Sequence, residues 1–261
     1  MKALSTAATG MLAQQLNVEV ISNNIANLNT TGFKRRRAEF QDLLYQNIER
    51  VGANSSDAGT VVPAGIQVGV GVRAAGVYRI AEQGSLEGTE NPYDVAINGR
   101  GFFRVQLPDG SDAYTRAGSF QLDQNGQLVT PDGFPIQPGI NIPQEARDIT
   151  INQQGEIQAT LDGQVAPQVV GQLELAIFPN DVGLEAIGRN MFLETQASGA
   201  ASVATPGTQG FGFVLQGFVE TSNVNAVTEI TNLISAQRAY ELNSKVIQTA
   251  DEMLNAASNL R

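Results

Sequence analysis

The sequence predicts an α+β protein, helical at both ends of the chain, with an antiparallel β-rich middle. Three observations predict it. All ten prolines lie between Pro63 and Pro206, and neither Gly nor Pro occurs from Met11 to Thr31 or after Gly217. Both residues break helices, so only the ends are free to be helical. Apolar residues recur every seven positions at each end, whereas the middle is punctuated by turn dipeptides.

At the N-terminal end Leu4, Met11, Val18 and Ile25 repeat by sevens, interleaved with Ala7, Gln14, Ile21 and Leu28. Such a stripe marks a helix lying along another helix. A helix from Ser5 to Leu28 would be roughly 36 Å long. Glu19 is the only charged side chain between Ala3 and Phe33. A helix that meets water normally carries Lys and Glu, so this one is expected to have neighbours on more than one side.

The C-terminal end repeats the pattern, with Leu233, Tyr240, Ile247 and Leu254 on one edge and Ala239, Val246, Met253 and Leu260 on the next. Asn225 is the expected N-cap, with Asn223 as the alternative. The stripes admit two readings, an antiparallel hairpin on a globular core or self-association, and the missing charge favours assembly.

In the middle, Pro108-Asp109-Gly110, Asn125-Gly126, Pro131-Asp132-Gly133, Gln154-Gly155 and Asp162-Gly163 separate short β-like runs. Repeated hairpins of this kind imply an antiparallel domain. Val51 to Gly65, small and polar, reads as an extended connector.

Composition excludes much chemistry. The chain has 261 residues, 26 acidic against 16 basic, and no Cys, His or Trp. Disulfides, Cys/His zinc sites, thiol nucleophiles and His-based triads are therefore absent. A net charge of −10 argues against a nucleic-acid partner. Residues 81–199 carry 16 acids and five arginines, leaving the remainder nearly neutral. Mean hydropathy is −0.11 and no long apolar run occurs, so membrane insertion is not expected. The N-terminus lacks the apolar core and cleavage site of a secretory signal, so any export would leave it in place. Asp94, Asp109, Asp112 and Asp123 sit at or near turns, where short acids cap the backbone. Gly69-Val70-Gly71 followed by Gly76, and Gly99-Arg100-Gly101, do not fit the dinucleotide fingerprint and read as strand glycines or a bulge. Lys34-Arg35-Arg36-Arg37 reads as an exposed turn, or as an ion-pair partner for a neighbouring subunit, rather than as a phosphate site. No catalytic, cofactor or metal site is expected.

The segment Ser22-Asn-Asn-Ile-Ala-Asn-Leu-Asn-Thr-Thr-Gly-Phe-Lys34 resembles the N-terminal signature of the bacterial flagellar axial proteins, the rod and hook family. Resemblance continues in Asp94-Val-Ala-Ile-Asn-Gly-Arg-Gly-Phe-Phe103, in Tyr114-Thr-Arg-Ala-Gly-Ser-Phe120 with Asn125-Gly126, and in Gly183-Leu184 with Gly188, Asn190, Glu194, Thr195 and Ser198-Gly199. Glu220-Thr-Ser-Asn-Val-Asn225, Gln237-Arg-Ala-Tyr240 and Asn243-Ser-Lys245 complete it. These motifs span nearly the whole chain in family order. Length, and the segment Asn47 to Gly65, resemble the distal-rod branch. The hook branch is considerably longer, and the proximal rod proteins are the nearest alternative.

The resemblance implies that residues 1–32 and 216–261 pair as an inner coiled-coil domain around an export channel. It implies a connector over 33–70 and a β-rich outer domain over 71–215. Self-assembly would then run through Leu4, Met11, Val18, Ile21, Ile25, Leu28, Leu233, Tyr240, Val246, Ile247, Met253, Leu254 and Leu260. The implied function is structural: a helical polymer forming the periplasm-spanning drive shaft of the flagellar basal body. Its implied partners are the protein itself, proximal rod proteins, the hook protein, the peptidoglycan-layer and outer-membrane ring proteins and the flagellar type III export apparatus. The competing classes are a secreted cell-wall-acting enzyme, suggested only by β structure and abundant acids, and a sugar-binding adhesin, disfavoured by the lack of Trp.

Overall fold

The structure, a computed structural model, describes residues 2–49, 65–161 and 166–259. The turn Asp162-Gly163, Leu260 and residues 51–64 of the expected connector therefore lie outside the described residues. The fold is α+β, with the two terminal helices in contact and an antiparallel β-rich middle. It divides into two compact units, one holding residues 1–26, 36–78 and 225–261, the other residues 27–35 and 79–224.

The first unit contains helix α1 (Lys2–Ala26), strands β1 (Arg36–Asp42), β2 (Tyr45–Glu49), β3 (Ile66–Gly69) and β4 (Val72–Arg79), and helix α2 (Ala226–Asn259). Strand β1 pairs with β4, and β2 pairs antiparallel with β3, Tyr45 opposite Gly69. The stretch 33–70 thus contributes three strands rather than a purely extended connector. α1 meets the turn after β3 closely: the Thr9 hydroxyl accepts the Val72 amide at 3.3 Å and donates to the Thr6 carbonyl. A Cβ on Gly71 would stand 2.2 Å from that hydroxyl, and its φ of +136° already disfavours any L side chain. α2 starts where its cap predicts: the Asn225 carboxamide oxygen accepts the amide of Thr228 at 3.1 Å, satisfying an orphan donor of the first turn.

The second unit is built from β5 (Leu86–Gly88), β6 (Val95–Asn98), β7 (Phe102–Gln106), β8 (Asp112–Thr115), β9 (Gln121–Leu122), β10 (Leu128–Val129), β11 (Ile136–Gln137), β12 (Ala146–Ile151), β13 (Glu156–Leu161), β14 (Gln168–Gln172), β15 (Leu175–Ile177), β16 (Glu185–Gly188), β17 (Met191–Leu193), β18 (Ser202–Ala204), β19 (Phe213–Gln216) and β20 (Phe218–Glu220). The main sheet runs β16-β17-β8-β7-β15-β18, and β11 pairs with the second half of β7. β12-β13-β14 form a three-stranded meander, while β19 pairs with β6 and β20 with β5. The four described turn signals behave as their residues dictate, with Gly110, Gly126, Gly133 and Gly155 all at positive φ.

Two apolar clusters hold this unit. Val95, Ile97, Phe103, Phe120, Leu128, Ile136, Ile157 and Leu175 are essentially inaccessible and form the larger one. Tyr114, Phe178 and Phe192 form the smaller, with Phe102 packed against it and Tyr114 edge-on to Phe178 at 4.7 Å between centroids. Desolvation there pushes the Tyr114 phenol above its ordinary value.

Candidate functional site

Two features merit description as functional sites, the terminal helix pair in the first unit and a buried charge knot in the second.

The helices are antiparallel. Asn24 near the end of α1 donates to Glu229 in the first turns of α2 at 3.1 Å, and Gly10 lies against Asn243, whose amide nitrogen would be 3.0 Å from a Cβ there. On α2 the residues facing α1 therefore recur by sevens as Glu229, Ala236, Asn243 and Ala250, with Ala236 and Ala250 buried. On α1 the buried members are Ala7, Ala13, Val20, Ile21 and Asn24. Apart from Val20 and Ile21, these buried members are small or polar, so the helix axes can approach closely while comparatively little apolar surface leaves water. Asn24 also grips the start of β1, donating to the Arg36 carbonyl and accepting its amide, both at 2.8 Å.

Of the large apolar residues predicted as assembly positions, one is buried among the described residues and the rest keep exposed surface. Ile21 is buried; Leu4, Met11, Val18, Ile25, Leu28, Leu233 and Ile247 are half-buried; Tyr240, Val246, Met253 and Leu254 are exposed, Met253 by 66%. Leu12, Val227, Ile230, Ile234 and Leu242 add to the exposed set. Sequence reading missed these, although Val227, Ile230 and Ile234 stand at helical spacing and would have been found by tracing a third stripe. Between the helices an open groove of about 340 Å³ is lined by Gln15, Val18, Glu19, Gln237, Tyr240 and Glu241. Among the described residues no three carboxylates gather closely enough to hold a metal ion, and no helix is long and apolar enough to cross a membrane.

In the second unit Glu220, at the end of β20, is fully buried. One oxygen is ion-paired with Lys34 and accepts the Gly84 amide at 2.9 Å; the other takes Arg116 in a two-pronged contact, Nε at 2.9 Å and Nη2 at 2.8 Å. The remaining donors are used as well. Lys34 Nζ reaches the Glu82 carbonyl at 2.7 Å, and Arg116 Nη1 reaches the carbonyls of Gly99 and Gly101. Burial pulls Lys34 below the ordinary lysine value; the Glu220 charge and hydrogen bond oppose the shift, and Arg116 adds to it. This corrects the reading of the basic tetrad as an exposed turn or intersubunit partner. Lys34 is buried and paired within its own chain, because Phe33 and Lys34 follow a turn whose Gly32 amide is already bonded to the Glu220 carbonyl at 2.7 Å. Only Arg36 and Arg37 are exposed.

Around the knot, segments far apart in the chain converge. Asn190 donates to the Thr31 carbonyl, and a Cβ on Gly32 would collide with the Ala117 backbone at 2.7 Å. The Asn223 side chain accepts the Arg35 amide and donates to the carbonyls of Ile80 and Glu82. The motifs around Thr31, Gly99, Arg116, Asn190 and Glu220 are those that carry the sequence resemblance, and the fold brings them into one cluster.

Comparison with known proteins matches three regions of the chain. The model described as flagella basal body rod protein matches residues 4–34, that for the flagellar hook protein FlgE/F/G D1 domain matches 96–159, and that for the flagellar basal body rod FlgEFG protein C-terminal region matches 215–260. The flagellar basal-body rod protein FlgG of Caulobacter vibrioides is 64% identical, each chain covered over its full length. The chain belongs to the flagellar basal-body rod protein family. A rod protein of the same description from Borreliella burgdorferi is 48% identical over 100% of this chain and 99% of its own. A Bacillus subtilis relative, the flagellar hook-basal body complex protein FlhP, is 29% identical over the whole of both chains. As a member of the rod family the chain is a structural subunit of the flagellar basal body. The three matched regions contain α1 with the turn to Lys34, the β6–β13 part of the second unit including Arg116, and β20 with α2 including Glu220.

Proposed function

We propose that this rod protein forms the distal rod: subunits polymerise helically into a hollow, stiff shaft that crosses the periplasm and passes motor torque to the hook. The observation that carries this reading is the burial pattern of the helix pair, whose buried members are mostly small or polar, Val20 and Ile21 aside, while Tyr240, Leu242, Val246, Met253 and Leu254 are exposed. Covering one such side chain contributes about 1.5–3 kcal/mol. The outward residues, with the half-buried Leu4, Met11, Val18, Ile25, Leu28, Leu233 and Ile247 beside them, and Leu260 beyond the described residues, are the assembly surface in this reading, whereas Ile21 serves the contact within the chain.

The contribution would be mechanical, without catalysis. Partners would be further copies, the proximal rod and hook proteins at the two ends of the shaft and the peptidoglycan-layer and outer-membrane ring proteins around it. Delivery would be through the flagellar type III apparatus with no cleaved signal. Ordering a backbone residue costs about 1–2 kcal/mol, so the helices would gain their full stability only when several neighbours cover them. Electron microscopy of the concentrated protein tests the reading: tubular polymers are expected, and a protein that stays monomeric at every concentration would contradict it.

A further inference from the structure

The second unit is acidic, yet one cleft in it is basic. A hollow of about 220 Å³ is lined by Lys34, Arg79, Arg100, Phe102, Arg116, Asp181 and Phe192. Four cations face one carboxylate in the lining, and adding Glu220 behind it still leaves the cleft positive. Low-dielectric walls focus such a field. Its parts are held in place. The Arg79 guanidinium lies over the Phe192 ring at 4.0 Å and donates to the Leu184 carbonyl at 2.8 Å, and Arg116 is fixed by Glu220 and the glycine carbonyls. Arg100 differs. Its side chain is 63% exposed, it reaches the Phe178 carbonyl only at 3.4 Å, and its approach to Asp181 is 3.8 Å, too long for a hydrogen bond.

We infer that this cleft is a carboxylate socket that receives an acidic side chain from the second unit of another copy of the chain. The volume suits a side chain and falls below the roughly 300 Å³ at which small-molecule pockets begin. The chemistry of the occupant follows from the lining: a planar carboxylate matches the fork of Arg100 and the positive wall, and its methylenes would lie on Phe102 and Phe192. Charge complementarity names the source. Residues 81–199 carry 16 acids to five arginines, and Glu87, Glu90, Glu145, Asp148 and Glu185 are exposed. A basic cleft on an acidic unit is self-complementary in a head-to-tail, heterologous contact, the kind that propagates a helical polymer. This inference rests on the polymer reading above.

The test has two arms. In the first, the monomer is titrated with glutarate and followed by NMR; the Gly99 and Gly101 amides should shift saturably in the wild type and not in Arg100→Glu. In the second, critical concentrations for polymerisation are compared. Arg100→Ala should raise the value several-fold and Arg100→Glu more than tenfold, with the gap shrinking in high salt. Arg147→Glu, the same charge change at another exposed arginine, should stay within twofold. Melting temperatures of the variants serve as the folding control. Absence of glutarate shifts overturns the socket. Glutarate binding with normal polymerisation of Arg100→Glu overturns the second copy as occupant. A wild type that does not polymerise but binds glutarate sinks the polymer reading and, with it, the assignment of the occupant, while the socket stands.

Discussion

Replacing Glu220 by Gln is the most incisive perturbation of the second unit. The carboxylate is fully buried, and its two cations, Lys34 and Arg116, have side chains only 6% exposed. Glutamine keeps the shape but carries no charge, and its amide nitrogen adds a donor to a site that already holds only donors around that position. Breaking a buried ion pair by removing one partner costs about 3–5 kcal/mol, since the survivor is left charged and dry. Arg116 has no escape, because guanidinium does not deprotonate in proteins. Lys34 does have one. At pH 7 releasing its proton costs about 4.8 kcal/mol, taken as 1.36 kcal/mol per unit over the interval from 10.5. That route therefore caps the lysine part of the penalty rather than abolishing it.

For a unit of about 150 residues, 1 kcal/mol moves the melting temperature by about 2–4 °C, so Glu220→Gln should melt roughly 6–20 °C lower. Near-UV circular dichroism of the dilute protein reads this directly, because the tyrosine and phenylalanine cluster reports the packing of this unit. A companion variant separates charge from shape. Adding Lys34→Met to Glu220→Gln removes one of the orphaned cations, so the double variant should melt higher than the sum of the two single losses predicts. A Glu220→Gln protein melting within about 2 °C of the wild type, or strict additivity in the pair, would refute the electrostatic account of the knot.

Asn223→Ala removes one acceptor and two donors that join Arg35, Ile80 and Glu82, and should destabilise the same unit by about 1–3 kcal/mol in urea unfolding, whereas Asn223→Asp should keep the Arg35 contact and lose the rest. Because Lys34 binds its proton less tightly in the folded protein than in the unfolded chain, the stability difference between wild type and Lys34→Met should rise with pH between its depressed value and 10.5, then level off; a difference that falls over that window contradicts the assignment of burial as the dominant cause. Ile25→Asp or Ile247→Asp should abolish polymerisation while leaving the melting of the β-rich unit unchanged, which co-sedimentation and calorimetry on the same sample can check. Limited proteolysis of the dilute monomer should trim α1 and α2 and leave a resistant core that keeps residues 79–224 with the 27–35 segment bound to it, and protection of Leu4 to Leu28 would count against folding on assembly.

Much of the architecture is legible in the sequence because it rests on local rules. The absence of Pro from both helices, and of Gly from α2 and from Met11 onward in α1, marks them, Asn225 starts α2, and the turn glycines place the hairpins, each through backbone sterics or a single capping bond. What is not legible is pairwise and long-range. Lys34, in a run of four cations, looks like solvent-exposed charge until β20 supplies Glu220 from 186 positions away. The strands within residues 33–70 were hidden by the same cause: β1 finds its partner β4 only after an intervening hairpin, and no strict alternation of apolar and polar residues announces it. The helix seam shows a subtler limit. Heptad reading selects the bulkiest stripe, but which stripe faces the partner helix depends on what else competes for the surface.

That competition explains why the seam is made mostly of small and polar residues, with Val20 and Ile21 as its bulky members. If all the large apolar side chains packed between α1 and α2, the hairpin would satisfy itself and present a polar exterior. Placing mainly alanine and asparagine on the internal seam leaves Tyr240, Leu242, Met253 and Leu254 outside, and makes the register depend on directional contacts such as Asn24 with Glu229 more than on bulk. A buried polar pair of this kind contributes little net stability but discriminates strongly against slipped alignments, since a one-turn slip would leave both groups dry and unpartnered. A subunit that must expose apolar surface before assembly and still offer it in one fixed arrangement gains from this division of labour: polar contacts set the geometry within the chain, and apolar ones are left for its neighbours.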